Sequence, residues 1–70
     1  MERYRSISSG VSGYEIGDDY VLIKFKSSRR TYRYSYRKAG KFKVDKIKSL
    51  AVRGKGLNGY INSYAKYSYD

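Results

Sequence analysis

Tyrosine alternates with arginine and serine in one short stretch of the chain, Tyr32-Arg33-Tyr34-Ser35-Tyr36. Tyrosine rings can stack on nucleobases and arginine side chains can bind phosphate oxygens, as they do in sheet-based RNA-binding proteins. Arg29 and Arg30 lie in a polar turn just before this stretch, and Tyr20 lies further upstream. The residue types therefore indicate a surface that could bind nucleic acid, with Tyr20 as a candidate for stacking on a base.

A strand must position these residues, because the stretch has the period of two that is typical of β-structure. Its three tyrosines share one face, beside Val21, Ile23 and Phe25 of the preceding strand. If helices cover that face, the tyrosines are core residues with their hydroxyls at the rim, and this is the interpretation that we favour over exposure for base stacking. Stacking would then depend on exposed aromatic residues. The candidates are Tyr4, Tyr20, Tyr67 and Tyr69.

The opposite face of the same strands collects positive charge. We expect its cations and those of the turn to lie close together without an acidic neighbour, which is unfavourable for a sheet and therefore favours a binding surface over an ordinary solubilising one. Lysines at seven-residue spacing on one flank of the following helix could extend this surface, with Lys46 and Arg53 on the other flank, although a charged helix exterior explains them equally well. The predicted phosphate-binding residues are Lys24, Lys26, Arg29, Arg30, Arg33, Arg37, Lys41, Lys48 and Lys55.

The periodicity along the chain predicts an α+β fold. Three strands are expected, at Val11–Ile16, residues 20–26 and residues 31–36. Helical spacing then predicts one helix that buries Val44, Ile47, Leu50 and Ala51 and ends near Gly54, and a second with Leu57, Tyr60, Ile61 and Tyr64 on one side. We therefore expect a three-stranded antiparallel sheet with both helices packed on its aromatic face, in the order β-β-β-α-α. Residues 66–70 lack a clear period, which predicts a frayed segment.

Several of these motifs occur in an order that resembles a known family. The chain has a Gly13-Tyr14-Glu15 step, a strand with the pattern Val21-x-Ile23-x-Phe25, then Tyr32-x-Tyr34, and later Gly54-x-x-Leu57-Asn58-x-x-Ile61 followed by Tyr64. This set resembles the KTSC domain, which occurs alone in bacterial and phage proteins and at the C-terminus of some lysyl-tRNA synthetases. The resemblance covers roughly residues 8–64. It implies no established activity, and its link to a synthetase makes RNA a reasonable partner.

Composition limits the classes of function. The 70 residues include sixteen Lys and Arg, six Asp and Glu, and neither His nor Cys, for a formal net charge of +10. The usual general bases, thiol nucleophiles and soft metal ligands are therefore missing, and the six carboxylates show no catalytic spacing. We expect one domain over residues 1–70 that is not an enzyme and has no metal site and no cofactor.

A charge balance this positive indicates a polyanionic partner. The first hypothesis is a nucleic-acid-binding module, with RNA slightly favoured over DNA, that contacts phosphates through the exposed sheet face. The alternative is a phage-encoded protein-interaction module that binds an acidic protein partner or self-associates. No apolar run is long enough to span a membrane, so we expect a cytoplasmic protein without a membrane partner.

Overall fold

The computed structural model describes residues 2–4, 10–26 and 30–70. Within these residues the chain forms a sheet followed by two helices. The strands are β1 (Glu2–Arg3), β2 (Val11–Ile16), β3 (Tyr20–Phe25) and β4 (Thr31–Ser35). The helices are α1 (Lys41–Arg53) and α2 (Leu57–Tyr60), and α2 continues as a π-helix over Ile61–Ala65. The predicted α+β class is confirmed.

The sheet is antiparallel, with its strands in the order β1-β2-β3-β4. The prediction of three strands is wrong, because Glu2 and Arg3 of β1 pair with Tyr14 and Gly13 of β2. Two residues are too few to display a period of two, so the sequence pattern gave no sign of this strand. The three longer strands begin at the predicted residues and end within one residue of the predicted positions.

One face of the sheet carries the core. Val21 and Ile23 of β3 and Tyr34 of β4 are completely or almost completely buried, and Val21 lies directly opposite Tyr34. Tyr32 and Tyr36 are half-buried at the margin of the same core. The tyrosines are therefore core and rim residues, as expected, and burial raises the pKa of Tyr34 to about 12.

Helix α1 packs on β3 and β4. Its buried residues are the four that the helical spacing predicts, Val44, Ile47, Leu50 and Ala51. The helix ends at Gly54, whose φ of 79° is left-handed and whose N–H donates to the Leu50 carbonyl. Glycine adopts this conformation without the steric penalty of a Cβ atom, so Gly54 defines the end of the helix.

The second helical segment buries Leu57, Ile61 and Ala65 at spacings of four residues. Its first N–H, that of Leu57, donates to the hydroxyl of Tyr4 over 3.1 Å. Tyr4 is only 3% exposed, so the expectation that it is an exposed stacking residue is wrong. Its ring packs in the main core, and its hydroxyl takes the place of a helix-capping side chain. Among the described residues, none of the helices is long and apolar enough to cross a membrane.

Candidate nucleic-acid interface

The sheet face turned away from the helices was predicted to bind phosphate. Residues directly opposite each other on neighbouring strands share a face. Arg3, Gly13, Lys24 and Thr31 therefore form one row, and Glu15, Leu22 and Arg33 form the next. The face is basic, but Glu15 lies in the same row as Arg33, so the expectation of a surface without an acidic neighbour is wrong.

Asp70 forms an ion pair with Arg33 at the edge of β4. Arg33 Nη1 lies 3.5 Å from Oδ2 of Asp70, and the Ser35 hydroxyl donates to Oδ1 of Asp70 over 2.8 Å. The Asp70 N–H also donates to the Arg33 carbonyl over 2.7 Å. Residues 66–70 therefore return to the sheet, and the prediction of a frayed segment is wrong. The reason is tertiary, because β4 offers these three polar groups at an open edge.

Tyr20, the predicted stacking residue, lies half-buried on this outer face. The guanidinium of Arg33 lies 4.9 Å from the centre of its ring. Its other neighbour is Gly17, where an added Cβ atom would come within 2.0 Å of the Tyr20 ring. Arg33 and Gly17 each cover part of the ring, so Tyr20 is less open to a base than the sequence suggested.

The remaining predicted cations of the sheet and turn do not all lie on this face. Arg37 follows the end of β4 and lies exposed in a turn, so its placement on the sheet face is wrong. Arg30 lies with its guanidinium 5.7 Å from the centre of the Tyr32 ring. Lys24 and Lys26 interact with other residues of the chain. Arg29 lies outside the described residues.

The predicted helix lysines are mostly engaged. Lys41 Nζ donates to Asp45 over 2.7 Å, and the Tyr36 hydroxyl donates to the same carboxylate over 2.6 Å. The Lys41 and Tyr36 hydrogen bonds lower the pKa of Asp45, and the bond to Asp45 raises the pKa of Lys41. Lys48 Nζ donates to the Asp18 carbonyl over 3.1 Å. Lys55 is exposed but follows the end of α1, in the connection to α2.

The exposed side of α1 carries a line of residues that the predicted site did not include. We call it the α1 stripe; it consists of Phe42, Lys46, Ser49 and Arg53, which are all exposed. Their spacings of four, three and four residues place them along one side of the helix. Among the described residues, no hydrogen bond or ion pair engages the side chains of Lys46 and Arg53. Phe42 is 82% exposed, so its ring is more available to a base than the half-buried ring of Tyr20.

The α1 stripe could have been found from the sequence. Lys46 and Arg53 were recognised as a second helix flank, but Phe42 was not, because the alternating tyrosines form the more conspicuous aromatic pattern. The missing signal was an aromatic residue at helical spacing from two cations on the side opposite Val44 and Ile47. Among the described residues, no three acidic side chains lie close enough together to hold a metal ion.

Tyr67 and Tyr69 were both expected to be exposed. Tyr67 is 78% exposed, which confirms the expectation for that residue. Tyr69 is half-buried, and its ring stacks on the ring of Tyr32 with 4.7 Å between centres and 5° between planes. The expectation that Tyr69 is exposed is therefore wrong, because the end of the chain docks on β4.

Comparison with known proteins gave no assignment: no family model, no curated protein and no solved structure matches the chain. The resemblance to the KTSC domain therefore stays a prediction from the Tyr32-x-Tyr34 and Gly54-x-x-Leu57-Asn58 motifs.

Proposed function

We propose that this protein is a small nucleic-acid-binding module that contacts phosphates through the basic side of α1. The distribution of charge carries this proposal. Residues 37–55 contain half of the sixteen cations and one of the six carboxylates. Asp45, that carboxylate, already accepts hydrogen bonds from Lys41 and Tyr36. The cations are Arg37, Lys38, Lys41, Lys43, Lys46, Lys48, Arg53 and Lys55.

The α1 stripe favours a single-stranded ligand. An exposed ring beside cations is the combination with which proteins hold single strands, since every base offers a flat face for stacking. Phe42 supplies the ring, and Lys46 and Arg53 supply the charges. Proteins recognise RNA mainly in single-stranded segments, whereas a duplex hides its bases, so RNA is the preferred ligand in this proposal and DNA the second. Little sequence preference is expected, because phosphate contacts carry no sequence information.

Binding of labelled nucleic acids between about 50 and 200 mM salt tests the proposal, since phosphate-driven affinity falls steeply over that range. The ligands are single-stranded RNA, duplex RNA and duplex DNA, followed by fluorescence anisotropy. Lys46→Gln with Arg53→Gln should weaken binding to all of them. On a single strand, the slope of log affinity against log salt should also fall by about 0.7 for each phosphate that the variant no longer neutralises.

A matched variant tests whether the α1 stripe or the outer sheet face binds the nucleic acid. Lys24→Gln with Arg33→Gln removes the same charge from the outer sheet face, where Arg33 already has Asp70 as a partner. We expect the sheet variant to lose less affinity than the α1 variant. The opposite order would move the interface to the sheet, and the absence of salt-dependent binding by the unaltered protein would refute a nucleic-acid function.

Exposed apolar side chains favour a second function, a module that binds an acidic protein or self-associates. Besides Phe42, Val52 is 58% exposed and Ile16 is 43% exposed. Val52 and Ile16 line one shallow depression together with Tyr14 and two glutamates, Glu2 and Glu15. Gel filtration over a range of concentrations distinguishes this function, because a dimer that Val52→Ser converts to a monomer would support self-association, whereas a monomer at all concentrations would leave only a foreign partner.

A further inference from the structure

An aromatic groove lies between the sheet and the second helical segment, and it shares no residue with the α1 stripe. Its volume is about 220 Å³. This is below the roughly 300–1,000 Å³ of sites for drug-sized ligands, so it suits one planar ring rather than a whole cofactor. The residues that line the groove include Phe25, Tyr32, Tyr67, Tyr69, Asn62 and Lys66.

Tyr32 forms the platform of this groove. Phe25 contacts it edge to face, with 5.4 Å between ring centres, and the guanidinium of Arg30 lies 5.7 Å from its centre. The Tyr69 ring lies flat on it, almost parallel. A flat ring on an aromatic face beside a cation is the arrangement in which proteins hold an unpaired base.

Asp70, which follows Tyr69, places an anion next to the stacked ring, as a phosphate lies next to the base in a nucleotide. The carboxylate of Asp70 accepts a hydrogen bond from Ser35 and lies beside the guanidinium of Arg33. A hydroxyl and a guanidinium are also donors that bind phosphate oxygens. Tyr69 and Asp70 thus present a planar ring followed by an anion, on an aromatic platform followed by anion-binding donors.

We infer that the edge of β4 is a binding site for one nucleotide of a single strand, and that Tyr69 and Asp70 occupy it from within the chain. The base stacks on Tyr32, and the phosphate takes the place of the Asp70 carboxylate at Ser35 and Arg33. Displacement of the Tyr69 ring joins the space that it fills to the neighbouring groove. The intramolecular occupant competes with the ligand, which holds affinity below the value that the empty site would give. The inference rests on the proposed function.

The test compares three proteins. Tyr69→Ala with Asp70→Asn removes the internal ring and anion. Tyr64→Ala with Asp18→Asn removes the same atoms and charge elsewhere, because Tyr64 is 65% exposed and Asp18 lies exposed in a turn. Adding Tyr32→Leu to the first variant keeps an apolar side chain in place but removes the stacking platform. Thermal unfolding of each variant verifies that it is folded.

The ligands are a single-stranded RNA decamer that carries one 2-aminopurine, whose fluorescence is quenched when it stacks, and an RNA duplex. The Tyr69/Asp70 variant should bind the single strand roughly tenfold more tightly than the Tyr64/Asp18 control, the gain expected from one additional stacked base. It should also quench the 2-aminopurine more strongly. The duplex should show no such difference, and Tyr32→Leu should abolish both gains.

Equal affinities of the Tyr69/Asp70 variant and the control, or an equal gain on the duplex, would overturn the inference while the proposed function stands. If no variant binds either RNA, the proposed function fails. Titration with adenosine 5′-monophosphate then tests whether the groove binds a nucleotide. In the Tyr69/Asp70 variant the nucleotide should then shift the NMR signals of the Tyr32 ring and leave those of Tyr64 in place. Absence of that shift would also overturn the inference.

Discussion

Tyr4 shows how one buried hydroxyl can connect distant parts of this chain. Its oxygen accepts the N–H of Leu57, 53 positions later in the sequence, at the first turn of α2. That turn has Gly56 at its N-cap and no capping hydrogen bond from a side chain of its own. The Leu57 N–H therefore depends on Tyr4 for its partner.

Tyr4→Phe should lower the free energy of unfolding by about 1–3 kcal/mol, because it leaves a buried N–H group without an acceptor. Urea denaturation followed by circular dichroism measures the change. Tyr64→Phe, at a residue that is 65% exposed, is the control and should stay within about 0.5 kcal/mol of the unaltered protein. Equal midpoints for both variants would contradict the assigned role of the hydroxyl.

The sequence predicts contacts between residues that are close along one helix better than contacts between distant segments of the chain. The pair between Lys41 and Asp45 lies at a spacing of four residues on one helix, a contact that spacing alone can suggest. The pair between Arg33 and Asp70 depends on residues 66–70 returning to β4, and no local pattern encodes that return. This is why the outer sheet face was predicted to be more positive than it is.

At the scale of elements, two glycines on the helices provide a matched comparison. Gly54 ends α1 with a φ of 79°, a conformation that side chains with a Cβ atom rarely adopt. Gly59 lies within α2, and a Cβ atom built there meets no other atom within 4 Å. Their backbone conformations therefore make opposite demands on the residue type.

Gly54→Ala should destabilise the protein by about 1 kcal/mol, since alanine pays the left-handed penalty that glycine avoids. Gly59→Ala should stabilise it by up to about 1 kcal/mol, because glycine within a helix loses more conformational freedom than alanine. Thermal unfolding of both variants measures the difference. Stabilisation by Gly54→Ala would show that α1 does not end in this conformation.

The elements with a strong period were the predictable ones. The apolar alternation of β3 and the spacing of Val44, Ile47 and Leu50 identified both the element and its buried side. β1 was missed because two residues display no period. The docking of residues 66–70 was missed because it depends on the Tyr32 ring and the polar edge of β4, which exist only after the sheet has formed.

At the scale of the whole molecule, the sequence predicted the amount of charge but not its arrangement. Four of the six carboxylates belong to the sheet strands and the β2–β3 turn, and Asp70 joins them by docking on β4. Only Asp45 lies on α1, which carries five cations, and three more cations flank this helix within residues 37–55. The molecule is therefore polarised toward α1, and this is the property that carries the proposed function.

Such a charge has a cost in stability that salt should reveal. The screening length is about 30 Å at 0.01 M salt and about 10 Å at 0.1 M. The longest extent of the molecule is 30 Å. At low salt every cation therefore repels the others across the whole molecule, whereas at 0.1 M only neighbouring charges interact strongly.

The thermal midpoint should therefore rise when sodium chloride is increased from about 0.01 to 0.1 M without any ligand, because salt screens the repulsion. Lys46→Glu with Arg53→Glu exchanges two positive charges of the α1 stripe for two negative ones, which lowers the formal charge from +10 to +6. This variant should have a higher midpoint at the lower salt concentration and a smaller rise with salt, because the repulsion along α1 is reduced. If both proteins respond to salt alike, repulsion on α1 is not what limits stability, and the cost of the charge would have to arise elsewhere on the surface.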